Sequence, residues 1–163
     1  MNAAPTTKGL LLAGALLAAA QAAAQAQIPK EGGIDWSLCF GGQVYSVSAT
    51  PQQSFGTYVL TGVARGTTGL AVLLSAECVG TFEASGRASQ SRGYCVYQDA
   101  AGDRIHGVDS RTPQGYLWEI RGGTGKFEGI TGSGSVESTG QPPAIRPGTM
   151  QACRRLVGTY RLP

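Results

Sequence analysis

The chain has 163 residues, a formal net charge of +3 and four cysteines, which suits one domain with a real hydrophobic core. Its charges are scattered, with no basic stripe interleaved with aromatics, and this argues against a nucleic-acid partner. A single histidine and the absence of any Cys-x-x-Cys argue against a metal centre.

In chain order, the first segment reads as an address. Lys8 supplies a positive start, Gly9 to Ala20 is an unbroken small and apolar run, and Ala24-Gln25-Ala26 fits a small-x-small cleavage site. The predicted organisation is a signal peptide over 1–26 and one β-barrel domain over 27–163, with a periplasmic or secreted product. The apolar run is short for a bilayer span, which takes roughly 20 residues, and nothing later resembles a transmembrane helix. The only asparagine is Asn2, so the exported part carries no N-glycosylation sequon.

The rest is rich in Gly, Thr, Ser, Val and Tyr. Short β-favouring stretches recur every ten to fifteen positions with turn residues between them, the pattern of an antiparallel sandwich or barrel. The predicted strands are 34–40, 43–50, 55–65, 69–83, 92–99, 103–110, 115–121, 132–139 and 149–161. In FGTYVLTGVAR apolar residues fall on both faces, which suits a barrel with a filled or lined lumen and some cover outside. QPPAIRPG, residues 141–148, carries three prolines and reads as a long loop before the last strand.

Four cysteines behind a signal peptide predict two disulfides in an oxidising compartment. Cys78 and Cys95 flank the turn at 85–87 and could face each other on neighbouring strands. Cys39 lies in the first strand and Cys153 in the last, and those strands are neighbours in a closed barrel. The preferred pairing is Cys78–Cys95 with Cys39–Cys153, while spacing leaves the other two connectivities open. A bridge closing more than a hundred residues would contribute ~4–5 kcal/mol in the chain-entropy model.

Several stretches invite chemical readings. GGTGKFEGITGSG, residues 122–134, suggests a phosphate loop. A P-loop, however, would need glycine where Ile120 stands and Ser or Thr where Phe127 stands. A dinucleotide fingerprint would need glycine at Glu128. The residues after Gly129 are strand-like and do not open a helix whose N-terminus could face phosphate, so no nucleotide and no cofactor are expected. Gly122 and Gly123 would end a strand, Thr124 and Gly125 continue the turn, Phe127 plug the barrel end, and Lys126 and Glu128 stay in water. Lys126 to Gly129 would make one short helical turn, and Gly132 and Gly134, on one face of the next strand, would admit tight coiling or close approach of another element. Asp99-Ala-Ala-Gly-Asp103 resembles a degenerate calcium loop but lacks the alternating oxygen ligands, and a turn accounts for it.

His106 would be the sole base of any hydrolase triad; Asp109 lies on the opposite strand face, and no Gly-x-Ser-x-Gly elbow exists. Glu77, Glu119 and Arg121 sit in otherwise apolar strands. Should any face the lumen, they would be desolvated groups able to orient a ligand or shift a proton; the plainer reading, which strand alternation favours, is an outward face in water. Arg154-Arg155 reads as a solvated strand end. Trp36, Tyr45, Phe55, Tyr58, Tyr94, Tyr97, Tyr116 and Trp118 are the aromatics that could line a pocket or simply pack.

The glycine stretch resembles the signature hairpin of allene oxide cyclase and dirigent-type barrels and their bacterial secreted relatives. The match falls on Gly122, Gly123, Thr124, Gly125, Phe127, Glu128, Gly129 and Gly132, and the final strand agrees more loosely. The resemblance implies an all-β fold: an eight-stranded antiparallel calycin-like barrel, here disulfide-braced. It implies a lumen that receives a small hydrophobic ligand. No catalytic residue of those families can be matched onto this chain, so non-catalytic binding is the leading expectation. An allene-oxide-cyclase-like cyclase or isomerase acting on a lipid-derived substrate is the alternative, and a structural or interaction module of the cell envelope is the third.

Overall fold

The structure is a computed structural model that describes residues 28–163 except 68, 69, 72 and 87. The signal-peptide reading falls outside the described residues.

Eight strands form one closed antiparallel barrel in sequence order. They are β1 (Glu31–Thr50), β2 (Gln53–Gly66), β3 (Leu73–Ser85), β4 (Ala88–Gln98), β5 (Arg104–Thr112), β6 (Gly115–Gly123), β7 (Thr131–Gly140) and β8 (Thr149–Arg161). A single 3₁₀ turn, Gly125–Phe127, lies between β6 and β7. The all-β, eight-stranded reading holds, but nine predicted segments become eight strands because 34–40 and 43–50 are one continuous strand. Gly41-Gly42 does not break it. A side chain on Gly42 would collide with the Val59 carbonyl of β2, so glycine serves close approach of two strands there rather than a turn.

The long β1 closes the barrel. It pairs with β2 over Trp36–Thr50 and with β8 over Glu31–Gln43. Cys39 lies directly opposite Cys153 across the β1–β8 seam, and the two are bonded. Cys78 lies opposite Cys95 across β3–β4, and these are bonded too. The pleat sends the two bridges to different faces: Cys78 and Cys95 are buried on the lumen side, whereas Cys39 is exposed outside.

Alternation fixes the rest of the wall. Ile34, Trp36 and Leu38 of β1, Leu74 and Ala76 of β3, and Trp118 and Ile120 of β6 point inward and are buried. Val59, Val63, Val79 and Tyr94 point outward and are exposed, so the outside cover expected over those strands is missing among the described residues.

One barrel end is packed solid. Ile34, Trp36, Leu74, Ile105, Phe127 and Ile130 are its most buried large side chains, and the Trp36 and Tyr97 rings tilt against each other at 5.4 Å. Phe127 is carried there by the hairpin between β6 and β7. The Thr124 amide donates to the Arg104 carbonyl (2.8 Å), and the Phe127 amide donates to the Thr124 carbonyl (3.1 Å). Gly125 has a φ of 58°, and a Cβ there would collide with the Asp103 carboxylate; only glycine satisfies both conditions. Lys126 is exposed, as expected. It pairs with Asp99 and reaches to 3.8 Å of Asp103, tying the hairpin to the β4–β5 turn.

Phe127 has 0% of its surface exposed. Phe127→Ala is therefore expected to lower unfolding free energy by ~3–5 kcal/mol, measured by chemical denaturation with both disulfides intact.

Candidate functional site

The opposite end of the barrel is open. Below its mouth lies a cavity of about 440 Å³, bounded by Leu38, Phe40, Leu60, Phe82, Val136 and Leu156 among its apolar lining. Tyr58, Tyr97, Tyr116, Asp109 and Arg154 are among its polar lining, and the Cys78–Cys95 bridge forms part of its wall. Ser46, Gln90, Arg111 and Gln141 stand toward the rim. Gly148, in the last residues of the 141–148 loop, also borders the cavity and accepts a hydrogen bond from the Val44 amide (2.7 Å).

Each polar group arrives by alternation. Ile105, Gly107 and Asp109 share the inner face of β5, which leaves His106 exposed outside. Ala152, Arg154, Leu156 and Tyr160 share the inner face of β8. Arg154 is thus in the lumen with 5% of its surface exposed, while Arg155 is outside in a two-point contact with Asp35 (2.9 and 2.8 Å). The reading of this pair as a solvated strand end is corrected for Arg154: the pleat sends sequence neighbours to opposite faces.

Asp109 accepts a hydrogen bond from the Tyr116 hydroxyl (2.9 Å). Its other oxygen lies 3.6 Å from Cys95 Sγ, which as half of a disulfide has no proton to give. Gly80 and Gly93 are paired across β3–β4. Side chains there would collide with the Tyr58 hydroxyl, and at Gly93 with Asp109 as well. The two glycines thus make the room in which Tyr58 and Asp109 approach one another.

Burial pushes the Asp109 carboxyl above the ordinary carboxylate range; the Tyr116 hydrogen bond and the Arg154 charge pull part of that back. The Tyr58, Tyr97 and Tyr116 phenols are all pushed up, first by burial and then by the nearby Asp109 charge. Arg154 Nη1 donates to the Cys153 carbonyl (3.1 Å), and the guanidinium lies 5.8 Å from the Phe40 ring centroid. Its Nε has no partner. Among the described residues, Arg154 belongs to no ion pair within 4.0 Å.

The acids and base singled out from sequence are elsewhere. Glu77 and Glu119 are exposed on the outer face, and so is Arg121. Arg121 reaches back to Glu119 at 2.8 Å. Of the two placements open to these three from sequence, the outward one in water is the one the strands adopt, and the lumen alternative is set aside. Glu77 is out of phase with Ala76 and Cys78, and Glu119 is out of phase with Trp118 and Ile120; the outer position keeps a charge solvated at no cost in burial. Of the aromatics, Tyr58, Tyr97 and Tyr116 border the cavity. Trp36 and Trp118 belong to the buried core, while Tyr45, Phe55 and Tyr94 are exposed.

The signature stretch lies at the packed end, away from the cavity. Gly122 and Gly123 end β6, Thr124 caps the turn, and Gly129 has a φ of 73°. Gly132 and Gly134 are the β7 positions facing Tyr160 and Gly158 of β8, and a side chain on Gly134 would strike the Val157 carbonyl.

Among the described residues, no group of three or more His, Cys, Asp or Glu side chains could hold a metal ion, and no helix is long and apolar enough to cross a membrane. The chain is a disulfide-braced, closed eight-stranded antiparallel barrel with one filled end and one open end. A scan against protein-family models finds no match, and a search of the curated proteins finds none either. Among solved structures, the pterocarpan synthase dirigent protein GePTS1 is similar at a TM-score of 0.44 and 13% sequence identity, over 82% of this chain and 93% of that one. That likeness concerns the course of the chain and carries no argument about activity.

The three lumen phenols have a definite pH consequence. Their folded pKa values lie above the unfolded value of about 10. Their contribution to stability is therefore present below that value and lost as pH rises beyond it. Melting temperature is expected to fall above pH ~10, with the phenolate absorbance of these tyrosines emerging together with unfolding. Tyr116→Phe removes a hydrogen bond that favours ionised Asp109 and should move the Asp109 carboxyl titration upward, as read by carboxyl carbon NMR shifts.

Proposed function

We propose that this protein is an exported barrel that binds a small hydrophobic ligand in its lumen and holds it without chemical change. The carrying observation is the cavity: about 440 Å³, mostly apolar, and open at one barrel end only. That size falls within the usual ~300–1,000 Å³ of small-molecule sites. Two disulfides and no free cysteine support an oxidising compartment outside the cytoplasm, in keeping with the signal peptide read at 1–26.

One observation favours a second reading, that of a cyclase or isomerase. Asp109 is a lumen acid with raised proton affinity beside three phenols, a placement suited to moving a proton at a bound substrate. Glu77 and Glu119, the acids expected for that role, face outward, and Asp109 takes their place in it.

The neutral dye N-phenyl-1-naphthylamine tests the binding reading. Its fluorescence should rise and saturate on addition of the purified chain from Gln27 onward. Val136→Trp, which places a bulky ring at the cavity wall, should abolish most of that signal while leaving the barrel's far-UV β-sheet signal in place. No saturable signal, or one indifferent to Val136→Trp, overturns lumen binding.

A further inference from the structure

The lumen carries more than an apolar lining. Arg154 is 5% exposed, and a charge that deep is costly unless it is paired and hydrogen-bonded. A guanidinium has five N–H donors. The chain uses one of them, on the Cys153 carbonyl, and offers the Phe40 face to the cation. Nε is buried and without a partner. No carboxylate closes on the group, although Asp109 borders the same cavity; that carboxyl is engaged by Tyr116 instead. A planar cation with donors to spare, held in an apolar cavity, is half of a bidentate oxyanion site.

We propose that the lumen is a site for a small amphipathic monoanion, a carboxylate or sulfonate on a compact apolar body, with its oxyanion seated on Arg154. Leu38, Leu60, Phe82, Val136 and Leu156 would receive the apolar body. Asp109 limits the charge: one anionic group can pair with Arg154, and a second would lie closer to Asp109 in a water-poor space. Arg111, exposed and at the rim of the cavity, adds positive potential at the entrance and would draw anions inward. The inference rests on the reading of the lumen as a ligand site and adds the headgroup that ligand must carry.

The test compares two dyes with one aromatic body: neutral N-phenyl-1-naphthylamine and the monoanion 8-anilinonaphthalene-1-sulfonate. Both are titrated against the wild type and against Arg154→Met, Arg154→Lys and Val136→Trp. The wild type should bind the sulfonate roughly 10–100-fold more tightly than the neutral dye, the span expected of a charge-assisted hydrogen bond. Arg154→Met should erase that preference and leave neutral-dye affinity in place, which also reports that the barrel has folded. Arg154→Lys should keep part of the preference. Equal wild-type affinities for the two dyes overturn the oxyanion site and leave the lumen reading standing. So does a loss of both dyes in equal measure in a folded Arg154→Met, because Arg154 would then be a prop for Phe40 and the Cys153 carbonyl. Should Arg154→Met fail to fold, the wild-type ratio alone decides. Sulfonate binding that survives Val136→Trp lies outside the lumen and overturns the proposal. If neither dye binds the wild type, the lumen reading falls and this one with it.

Discussion

Everything in this molecule depends on β1 being long enough to pair on both edges. Its first thirteen residues pair with β8 and its last fifteen with β2, so the sheet has no free edge. A closed sheet has an inside and an outside, and the two-residue period of the strand then assigns every side chain to one or the other. At several glycines of that wall, Gly42, Gly62 and Gly134 among them, a neighbouring strand occupies the place a side chain would take.

The two ends of the hoop solve different problems. At the packed end a hairpin turns on Gly125 and drives Phe127 inward, where it meets Ile130 and the buried residues of the first strands. Lys126, on the same turn, anchors the hairpin to Asp99 and Asp103. At the open end the wall side chains do not reach the axis, and the space between them holds one acid, one guanidinium and three phenols. Such groups cost stability when desolvated. They are only partly satisfied, with Tyr116 on Asp109 and a single backbone carbonyl on Arg154, which sets this end apart from the packed one.

Much of the architecture was legible in the sequence, and the cavity chemistry was not. Alternating β stretches, glycine turns and four paired cysteines pointed to the barrel, and Cys39 opposite Cys153 followed from closure once a barrel was assumed. The extra break at Gly41-Gly42 was misread because local turn chemistry cannot show whether a glycine bends its own strand or makes room for another. Glu77, Glu119 and Arg121 attracted notice because charge in an apolar strand looks expensive, yet the phase of Ala76 and Cys78, or of Trp118 and Ile120, places those charges in water. The same phase would have found Arg154, which falls in step with Leu156 and Tyr160. It was missed because Arg155 beside it made the pair look like an ordinary solvated end. Asp109 was separated correctly from His106, but nothing in the local pattern said which of the two faced in.

The two disulfides occupy opposite sides of one thin wall. The seam bond at Cys39–Cys153 presents a sulfur-bearing residue to solvent, whereas Cys78–Cys95 is buried against the cavity. A thiol arriving from solution must collide with a sulfur along the bond axis, so it meets the seam first and reaches the inner bond only by way of the mouth. The two bonds therefore differ in the order in which a reductant meets them: the seam bond comes first, while the inner one still joins β3 to β4.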